Sequence, residues 1–280
     1  MRSGRSRSVY FLLLGIISLF LISGCATTGP GGKKSLILVS TAQEVSIGQS
    51  LDEELRQTEK TLADTAWQNY ISAMGNKIVS VSDRSDLEFH FTVIESDQVN
   101  AFATPGGYVY FYTGLLHELD NESELAAVMA HEISHVVGRH GVKRLQTIMG
   151  ASVLLDLALG EKSETTKSLA TAATGILMQG YSRDQEREAD EFGIIYASRA
   201  GWHPNGFVGM FEKLKVLSGG EGDMSFFEML SASHPPLNER IDNVQSQIKG
   251  MKPLPNNLVS DSRQFQSLKK RLPAKTDSGG

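Results

Sequence analysis

"VMAHEISHVVGRHG", residues 128–141, decides the fold, because it carries three histidines and a glutamate within one helical pattern. On a helix of about 3.6 residues per turn, His131 and His135 lie about 40° apart, so both imidazoles leave one face. His140 lies about 140° beyond His135 and points away if the helix continues. The stretch therefore predicts a helix that presents a pair of histidines, with Glu132 beside them.

The spacing H-E-x-x-H is the arrangement in which zinc peptidases combine two metal ligands with a general base. His131 and His135 are the predicted ligands, and Glu132 is the predicted base. The extended motif H-E-x-x-H-x-x-G-x-x-H would place a third histidine at position 141, which is Gly141, and His140 is one residue out of step. A hydrolytic zinc site takes three protein ligands. The third ligand must therefore come from elsewhere in the chain.

The stretch "SRDQEREADEFGIIYASRAG", residues 182–201, is a predicted helix that offers this third ligand. Glu186 and Asp190 are spaced i,i+4 and share a face, so Glu186 can bind the metal directly. Asp190 can accept the remaining N–H of a ligating histidine and fix its tautomer. Glu188 lies about 200° from Glu186 and is predicted to face solvent. Acid pairs of this spacing are common on helices, so the argument depends on the H-E-x-x-H helix.

The N-terminus predicts a lipoprotein signal. Three arginines precede an apolar run over residues 9–22, and "ISGC" follows, which resembles the bacterial lipobox with Cys25 as the lipidated residue. The run is shorter than the about 20 apolar residues of a membrane span. We expect a signal peptide over 1–24 and a lipidated tether over 25–40. The alternative is an ordinary signal peptide or uncleaved anchor with a chance cysteine.

The composition bounds the partners and the fold class. A net charge of −5 without a basic cluster beyond the first residues argues against nucleic acid as a partner. Helical periodicity dominates, and two β-rich stretches, at 87–96 and 108–114, are joined by the turn "ATPGG". These patterns predict an α+β fold, mostly helical, with a small sheet. The main domain is expected over 41–250 and a flexible tail over 251–280.

The stretch "YVYFY" is predicted to be an edge strand beside the H-E-x-x-H helix. Tyr108, Val109 and Tyr110 would then pair with an extended peptide substrate through backbone hydrogen bonds, which tolerate many sequences. The alternative is an ordinary core strand. Two apolar helical stretches within 142–180 are too short to cross a bilayer and are predicted to form core or a lid.

These motifs resemble one family. "HEISH" followed by "SRDQEREAD", with "NAFATPGG" before and "SHPPLNERI" after, resembles the HtpX/BepA/LoiP-like gluzincin peptidases, relatives of the prenyl-protein protease, over about residues 40–250. The resemblance implies a zincin-like catalytic domain with one Zn²⁺ per chain, and an E-x-x-x-D motif formed by Glu186 and Asp190. We expect no further membrane segments and no C-terminal tetratricopeptide-repeat domain, and on that expectation the chain is most similar to the small LoiP-like lipoproteins.

The leading functional hypothesis is a zinc endopeptidase that cleaves unfolded or misassembled envelope proteins, with Glu132 taking a proton from a water at the metal. The resemblance and Ala26 after Cys25 imply the periplasmic face of the outer membrane, contact with the membrane through the lipid, and an envelope assembly machinery as partner. One rival is an envelope chaperone or assembly factor whose zinc is structural, with four protein ligands. Another is a zinc hydrolase of cell-wall peptides.

The stretch "SASHPPLNERI", residues 231–241, supplies two further candidate site residues. Two prolines forbid a helix directly after His234 and hold it in an extended conformation. We expect the loop to fold over the cleft, with His234 near the zinc and Arg240 near the acidic helix. His234 would either donate a hydrogen bond to the oxyanion or occupy the open coordination position as a gate. The alternative is a surface histidine beside a helix start.

Overall fold

The computed structural model describes residues 26–159, 164–219 and 237–275. The helices are α1 (Thr41–Thr58), α2 (Thr65–Val79), α3 (Thr113–Glu118), α4 (Glu122–Val137), α5 (His140–Met149), α6 (Ala151–Leu159), α7 (Glu164–Met178), α8 (Arg183–Arg199), α9 (Gly206–Gly219), α10 (Leu237–Gly250) and α11 (Arg263–Lys269). The strands are β1 (Ala26–Thr28), β2 (Lys34–Leu36), β3 (His90–Ile94), β4 (Ala101–Thr104) and β5 (Tyr108–Tyr112). The predicted α+β, mostly helical fold is confirmed.

The helices α4 and α8 begin at side chains that cap them. Ser182 accepts a hydrogen bond from the backbone N–H of Gln185, whose side chain accepts one from the N–H of Ser182, which is a capping box. Asn121 accepts from the N–H of Glu124 over 3.1 Å. The start of α8 agrees with the helix predicted over residues 182–201. Local sequence therefore fixes the two helices that were expected to carry the metal ligands.

The central sheet has the strand order β3-β5-β4. β3 runs parallel to β5, and β4 is antiparallel to β5 across the turn Pro105–Gly107. The prediction that Tyr108, Val109 and Tyr110 form a substrate-binding edge strand is wrong, because β5 is the central strand. Its backbone groups pair on both sides, so it cannot accept a further strand. The sequence did not predict β4, because the four residues "AFAT" show no clear alternation of apolar and polar side chains.

An edge strand nevertheless lies beside the H-E-x-x-H helix, as predicted. β4 pairs with β5 alone among the described strands, and it packs against α4. The edge strand of the zincin-like arrangement is therefore Ala101–Thr104. A candidate for strand addition has to be sought there, since β5 is closed to it.

The core covers both faces of β5. Val109 and Phe111 belong to the main hydrophobic cluster, which also contains most of the apolar residues of α2 and α4. The three tyrosines of "YVYFY" point to the opposite face and pack with Leu55 of α1. Every residue of α4 is buried. The metal-bearing helix therefore lies at the centre of the molecule, where its side chains have little freedom to move.

A second hydrophobic cluster is formed by α5, α6 and α7 against α1 and the segment after β2. It contains buried leucines and alanines of these helices together with Ile37, Val39 and Ile47. The described part of 142–180 thus packs as core, which is one of the two predicted alternatives, core or lid. Among the described residues, no helix has the length and apolarity needed to cross a bilayer.

The segment after α10 is part of the core, and the predicted flexible tail over 251–280 is wrong for residues 251–275. Phe265 and Leu268 of α11 are buried in the main cluster. The indole N–H of Trp67 donates to the carbonyl oxygen of Leu268 over 2.9 Å, and the rings of Trp67 and Phe265 meet edge to face. Two apolar residues one turn apart in a polar segment were enough to anchor it.

Three predicted features lie outside the described residues: the signal segment 1–24, Cys25 and His234. Their predicted roles stay predictions. Arg240 lies within α10 and is described.

Candidate metal centre

Three side chains from α4 and α8 converge on one point. The Nε2 atoms of His131 and His135 are 3.0 Å apart, and they lie 3.5 and 3.4 Å from the two carboxylate oxygens of Glu186. All three residues are buried, and one ligand atom from each lies within 4.8 Å of the others. Two imidazoles and one carboxylate are a donor set that zinc takes in peptidases. These residues are therefore placed to bind one metal ion, as predicted.

The close approach of α8 to α4 brings the ligands together. Gly193 lies where α8 meets the metal helix, and a Cβ there would stand 3.2 Å from the backbone nitrogen of His131. The same Cβ would stand 2.9 Å from the ring of Phe207. A side chain there would force at least one of these neighbours to shift. Gly193 therefore permits the close approach of the two ligand-bearing helices.

Asp190 is hydrogen-bonded to the metal-distal nitrogen of His131, as the i,i+4 spacing predicts. The Oδ1 of Asp190 lies 2.9 Å from Nδ1 of His131. Burial lowers the pKa of His131, but the hydrogen bonds to Asp190 and Glu186 outweigh burial and raise this pKa to about 9 in the metal-free site. With a metal on Nε2, the proton stays on Nδ1, which faces Asp190. This arrangement fixes the tautomer that a ligating histidine needs.

Arg240 lies among the acidic side chains, as predicted. Its Nε and Nη2 donate to the two oxygens of Asp190 over 2.7 Å each, and its Nη1 lies 2.9 Å from Oε2 of Glu186. Burial raises the pKa of Asp190, but Arg240 and His131 outweigh burial and hold the pKa below its usual range. The guanidinium also lies over the ring of Phe211. Arg240 therefore joins α10 to both carboxylates of the site.

His140 does not point away, because the helix does not continue. α4 ends at Val137, Arg139 adopts a left-handed conformation with φ 52°, and α5 begins at His140. This break returns His140 to the site, where its Nδ1 lies 2.8 Å from Nδ1 of His135. His140 was expected to point away only if the helix continued, and the structure does not meet that condition.

Glu188 is not on a solvated face. Its carboxylate lies 2.8 Å from Nε2 of His140 and 3.1 Å from Nζ of Lys33. Burial raises the pKa of Glu188, but the hydrogen bonds from His140 and Lys33 outweigh burial and lower the pKa to about 2. Helical angles place Glu188 on a different side from Glu186, and that part of the prediction holds. The side chain faces α5 instead of solvent, which a single-helix argument cannot reveal.

A buried ion cluster holds the break between α4 and α5 in place. The carboxylate of Glu44 is fully buried and accepts two hydrogen bonds from the guanidinium of Arg84, both of 3.1 Å. The Nε of Arg139 lies 2.9 Å from the same carboxylate, and its Nη2 donates to the carbonyl oxygen of Val39. Sequence reasoning missed this cluster, because its members are far apart along the chain.

Glu132 lies between the two ligating histidines on α4 and is buried. Its charge is among the causes that raise the pKa of Arg240, after burial, which lowers it, and the carboxylates of Asp190 and Glu186. In the described part of the chain, the ligand group contains His131, His135 and Glu186. A closed structural zinc site would require a fourth protein ligand. The described residues thus form the three-ligand set of a hydrolytic centre.

An H-E-x-x-H helix completed by a buried glutamate of a second helix defines the class of zincin-like metallopeptidases. The chain belongs to peptidase family M48, whose model matches residues 65–248. Members of this family depend on zinc. The chain is thus a zinc metallopeptidase of the HtpX/BepA kind.

Several curated relatives resemble the chain over most of its length. The beta-barrel assembly-enhancing protease of Escherichia coli K12 is 32% identical over 251 residues, which cover 86% of this chain and 50% of that protein. Metalloprotease YcaL of the same organism is 31% identical and covers 73% of this chain and 76% of that protein. The mitochondrial metalloendopeptidase OMA1 of Saccharomyces cerevisiae is 28% identical, and the match covers 85% of this chain and 73% of that protein. The chain spans about half the length of the beta-barrel assembly-enhancing proteases it matches.

Proposed function

We propose that the chain is a zinc-dependent endopeptidase of the cell envelope that cleaves unfolded or misassembled proteins. The observation that carries the proposal is the buried three-ligand group with Glu132 between its two histidines. Relatives named metalloprotease and metalloendopeptidase support peptide cleavage. The substrate class is supported by the name of the beta-barrel assembly-enhancing proteases, which also favours a link to an envelope assembly machinery.

In this proposal the residues of the site divide the chemistry. Zinc, when bound, supplies Lewis acidity that acidifies a water and polarises a peptide carbonyl. Glu132 accepts the proton of the attacking water and returns it to the leaving amine. Asp190 holds His131 with its proton on Nδ1, so that Nε2 remains available for the metal. Arg240 balances the negative charge of Glu186 and Asp190, and it helps to hold the pKa of Asp190 below its usual range.

We assign Arg240 a positioning role in this mechanism. Its guanidinium is committed to two carboxylates by short contacts, and it is nearly fully buried. It acts on the metal through Glu186, which it holds at the ligand position. His234 then keeps its two alternative proposed roles, as a hydrogen-bond donor to the oxyanion or as a removable gate at the open coordination position. Activity of His234→Ala distinguishes the two roles, since a lost donor lowers kcat and a lost gate raises it.

We propose that an extended substrate pairs with β4, since β5 is the central strand. Support comes from the edge position of β4 among the described strands and from its packing against α4. The Tyr181 hydroxyl donates to the carbonyl oxygen of Ala103 on this strand over 3.4 Å, so it has to leave this acceptor when a substrate pairs there. Replacing Ala103 by proline, which removes a backbone N–H, should raise KM for an unfolded protein more than it lowers kcat. A KM equal to the wild-type value would exclude β4.

The decisive test is Glu132→Gln in the full chain. Cleavage of an unfolded protein such as casein should fall by about 10²–10⁴-fold, because the general base is lost. Zinc content, measured by elemental analysis, should stay at one ion per chain, because Glu132 is not a ligand. The matched control is Glu191→Gln on the exposed side of α8. Unchanged cleavage by a zinc-loaded Glu132→Gln protein would remove Glu132 as the general base, whereas no cleavage by the zinc-loaded, unchanged chain would favour the chaperone.

The envelope location has its own test. We propose attachment to the periplasmic face of the outer membrane through a lipid on Cys25, supported by the lipobox pattern and by the names of the relatives. Cys25→Ala should move the protein from the membrane fraction to the soluble fraction of the envelope. Membrane fractionation like that of the unchanged chain would contradict lipid attachment at this residue.

A further inference from the structure

The two ligating histidines face different surroundings behind the metal position. His131 meets Asp190, the carboxylate of the E-x-x-x-D motif. His135 meets a second histidine, His140, which is fully buried and in turn meets Glu188. The ring of Tyr181 stacks on the imidazole of His135, with the ring centroids 4.0 Å apart. Tyr181 therefore restrains the face of this imidazole, and His140 contacts its edge. His135 is therefore as closely supported as His131, but through different residues.

Donor and acceptor rules give this chain of contacts one direction when a metal is bound. A metal on Nε2 of His135 leaves the ring proton on Nδ1, which must donate to Nδ1 of His140 over 2.8 Å. The Nδ1 of His140 then accepts, so its own proton lies on Nε2. That N–H faces Oε2 of Glu188, also over 2.8 Å. Each ring nitrogen of His135 and His140 is then a metal ligand, a hydrogen-bond donor or a hydrogen-bond acceptor, and Glu188 is the final acceptor.

A left-handed backbone conformation at Arg139 brings His140 next to His135. Arg139 has φ 52°, a conformation that residues with a side chain seldom adopt and that persists only where surrounding contacts impose it. The contact of Arg139 with buried Glu44 supplies that restraint. Gly138 lies so close to the imidazole of His140 that a Cβ would stand 2.4 Å from Nε2. A continuous helix would avoid this strain but would carry His140 away.

We propose that His140 and Glu188 form a second positioning pair of the metal centre, which holds His135 in the tautomer and orientation that bind the metal. Lys33, in the segment before β2, fixes the other oxygen of Glu188 at 3.1 Å. The pair does for His135 what Asp190 does for His131. The inference rests on the metal centre, not on the substrate proposed above.

Zinc affinity of three purified full-length variants of α8 tests the pair. Glu188→Ala leaves the N–H of His140 without its acceptor and should weaken zinc binding by about 10–100-fold, as loss of such a partner usually does. Glu188→Gln keeps a carbonyl oxygen for that N–H and should recover most of the affinity. Glu191→Ala removes a neighbouring exposed acid that also lies near Lys33 and should bind zinc like the unchanged chain. Competition with a chromophoric chelator measures all three.

A spectroscopic measurement separates positioning from general stability. In the cobalt-substituted protein, Glu188→Ala should change the visible absorption bands, because the orientation of His135 changes, while the melting temperature of the metal-free protein stays near that of Glu191→Ala. His140→Leu should give the same change of spectrum if it folds. Equal zinc affinity and identical cobalt spectra for Glu188→Ala and Glu191→Ala would overturn the inference. Glu132→Gln serves as the reference that loses cleavage without losing affinity, so failure of the proposed function is recognised separately.

Discussion

At the scale of single residues, three acids of α8 contact three different parts of the metal centre. Glu186 faces the metal position, Asp190 faces His131 and Arg240, and Glu188 faces His140. Glu188 lies two residues from each of the other two acids and therefore about 200° around the helix from them, whereas Glu186 and Asp190 share a face, because each residue turns the helix by about 100°. The chemistry of the centre therefore depends on the register of α8.

This division predicts graded losses of zinc. Glu186→Ala removes a ligand and should abolish stoichiometric binding at micromolar zinc. Asp190→Ala removes only the partner of His131 and should weaken binding by about 10–100-fold. Elemental analysis after dialysis measures the first, and chelator competition measures the second. Wild-type stoichiometry in Glu186→Ala would mean that the third ligand lies elsewhere.

At the scale of secondary-structure elements, the distance between α4 and α8 is the quantity that the fold has to control. Gly193→Ala places a methyl group against Phe207 and the backbone of α4. We expect a loss of about 1–3 kcal/mol in the free energy of unfolding, as overpacking commonly gives. Zinc affinity should fall as well, because Glu186 moves with its helix. Urea denaturation and chelator competition measure the two effects.

The control for this prediction is Gly175→Ala in α7. A Cβ there meets nothing within 4 Å, and the position is exposed on a helix. Alanine should stabilise the protein by about 0.5–1 kcal/mol, because glycine is a poor helix former. Destabilisation by Gly175→Ala would show that glycine removal is harmful in itself, and the Gly193 result would lose its meaning.

The site could be predicted from the sequence wherever it depends on one helix. H-E-x-x-H, Glu186 and Asp190 follow from helical angles, and the structure brings them together as expected. His140 could not be placed, because its position depends on a break that Arg139 makes with the help of Glu44, a residue of a distant helix. The central place of β5 was missed for a similar reason, since pairing with β4 depends on tertiary contacts.

At the scale of the whole molecule, the segment after α10 supports α2 and the core next to it. Phe265 is fully buried and touches Trp67 edge to face. Phe265→Ala should lower the free energy of unfolding by about 3–5 kcal/mol, as loss of a buried aromatic ring usually does. Ser267→Ala, exposed on the same short helix, should leave it nearly unchanged. Equal urea midpoints for the two variants would contradict a structural role for α11.

The two helices that carry the ligands are far apart along the chain, with α5, α6 and α7 between them. Before they pack, the chain offers a metal only the two histidines of α4, which is an incomplete site. Contacts between distant segments form late in folding, because closing a long loop is entropically costly. We therefore expect metal loading to follow folding, in contrast to small domains that fold only around zinc. On this expectation, a cell short of zinc accumulates the protein folded and without its metal, and zinc supplied later loads it without new synthesis.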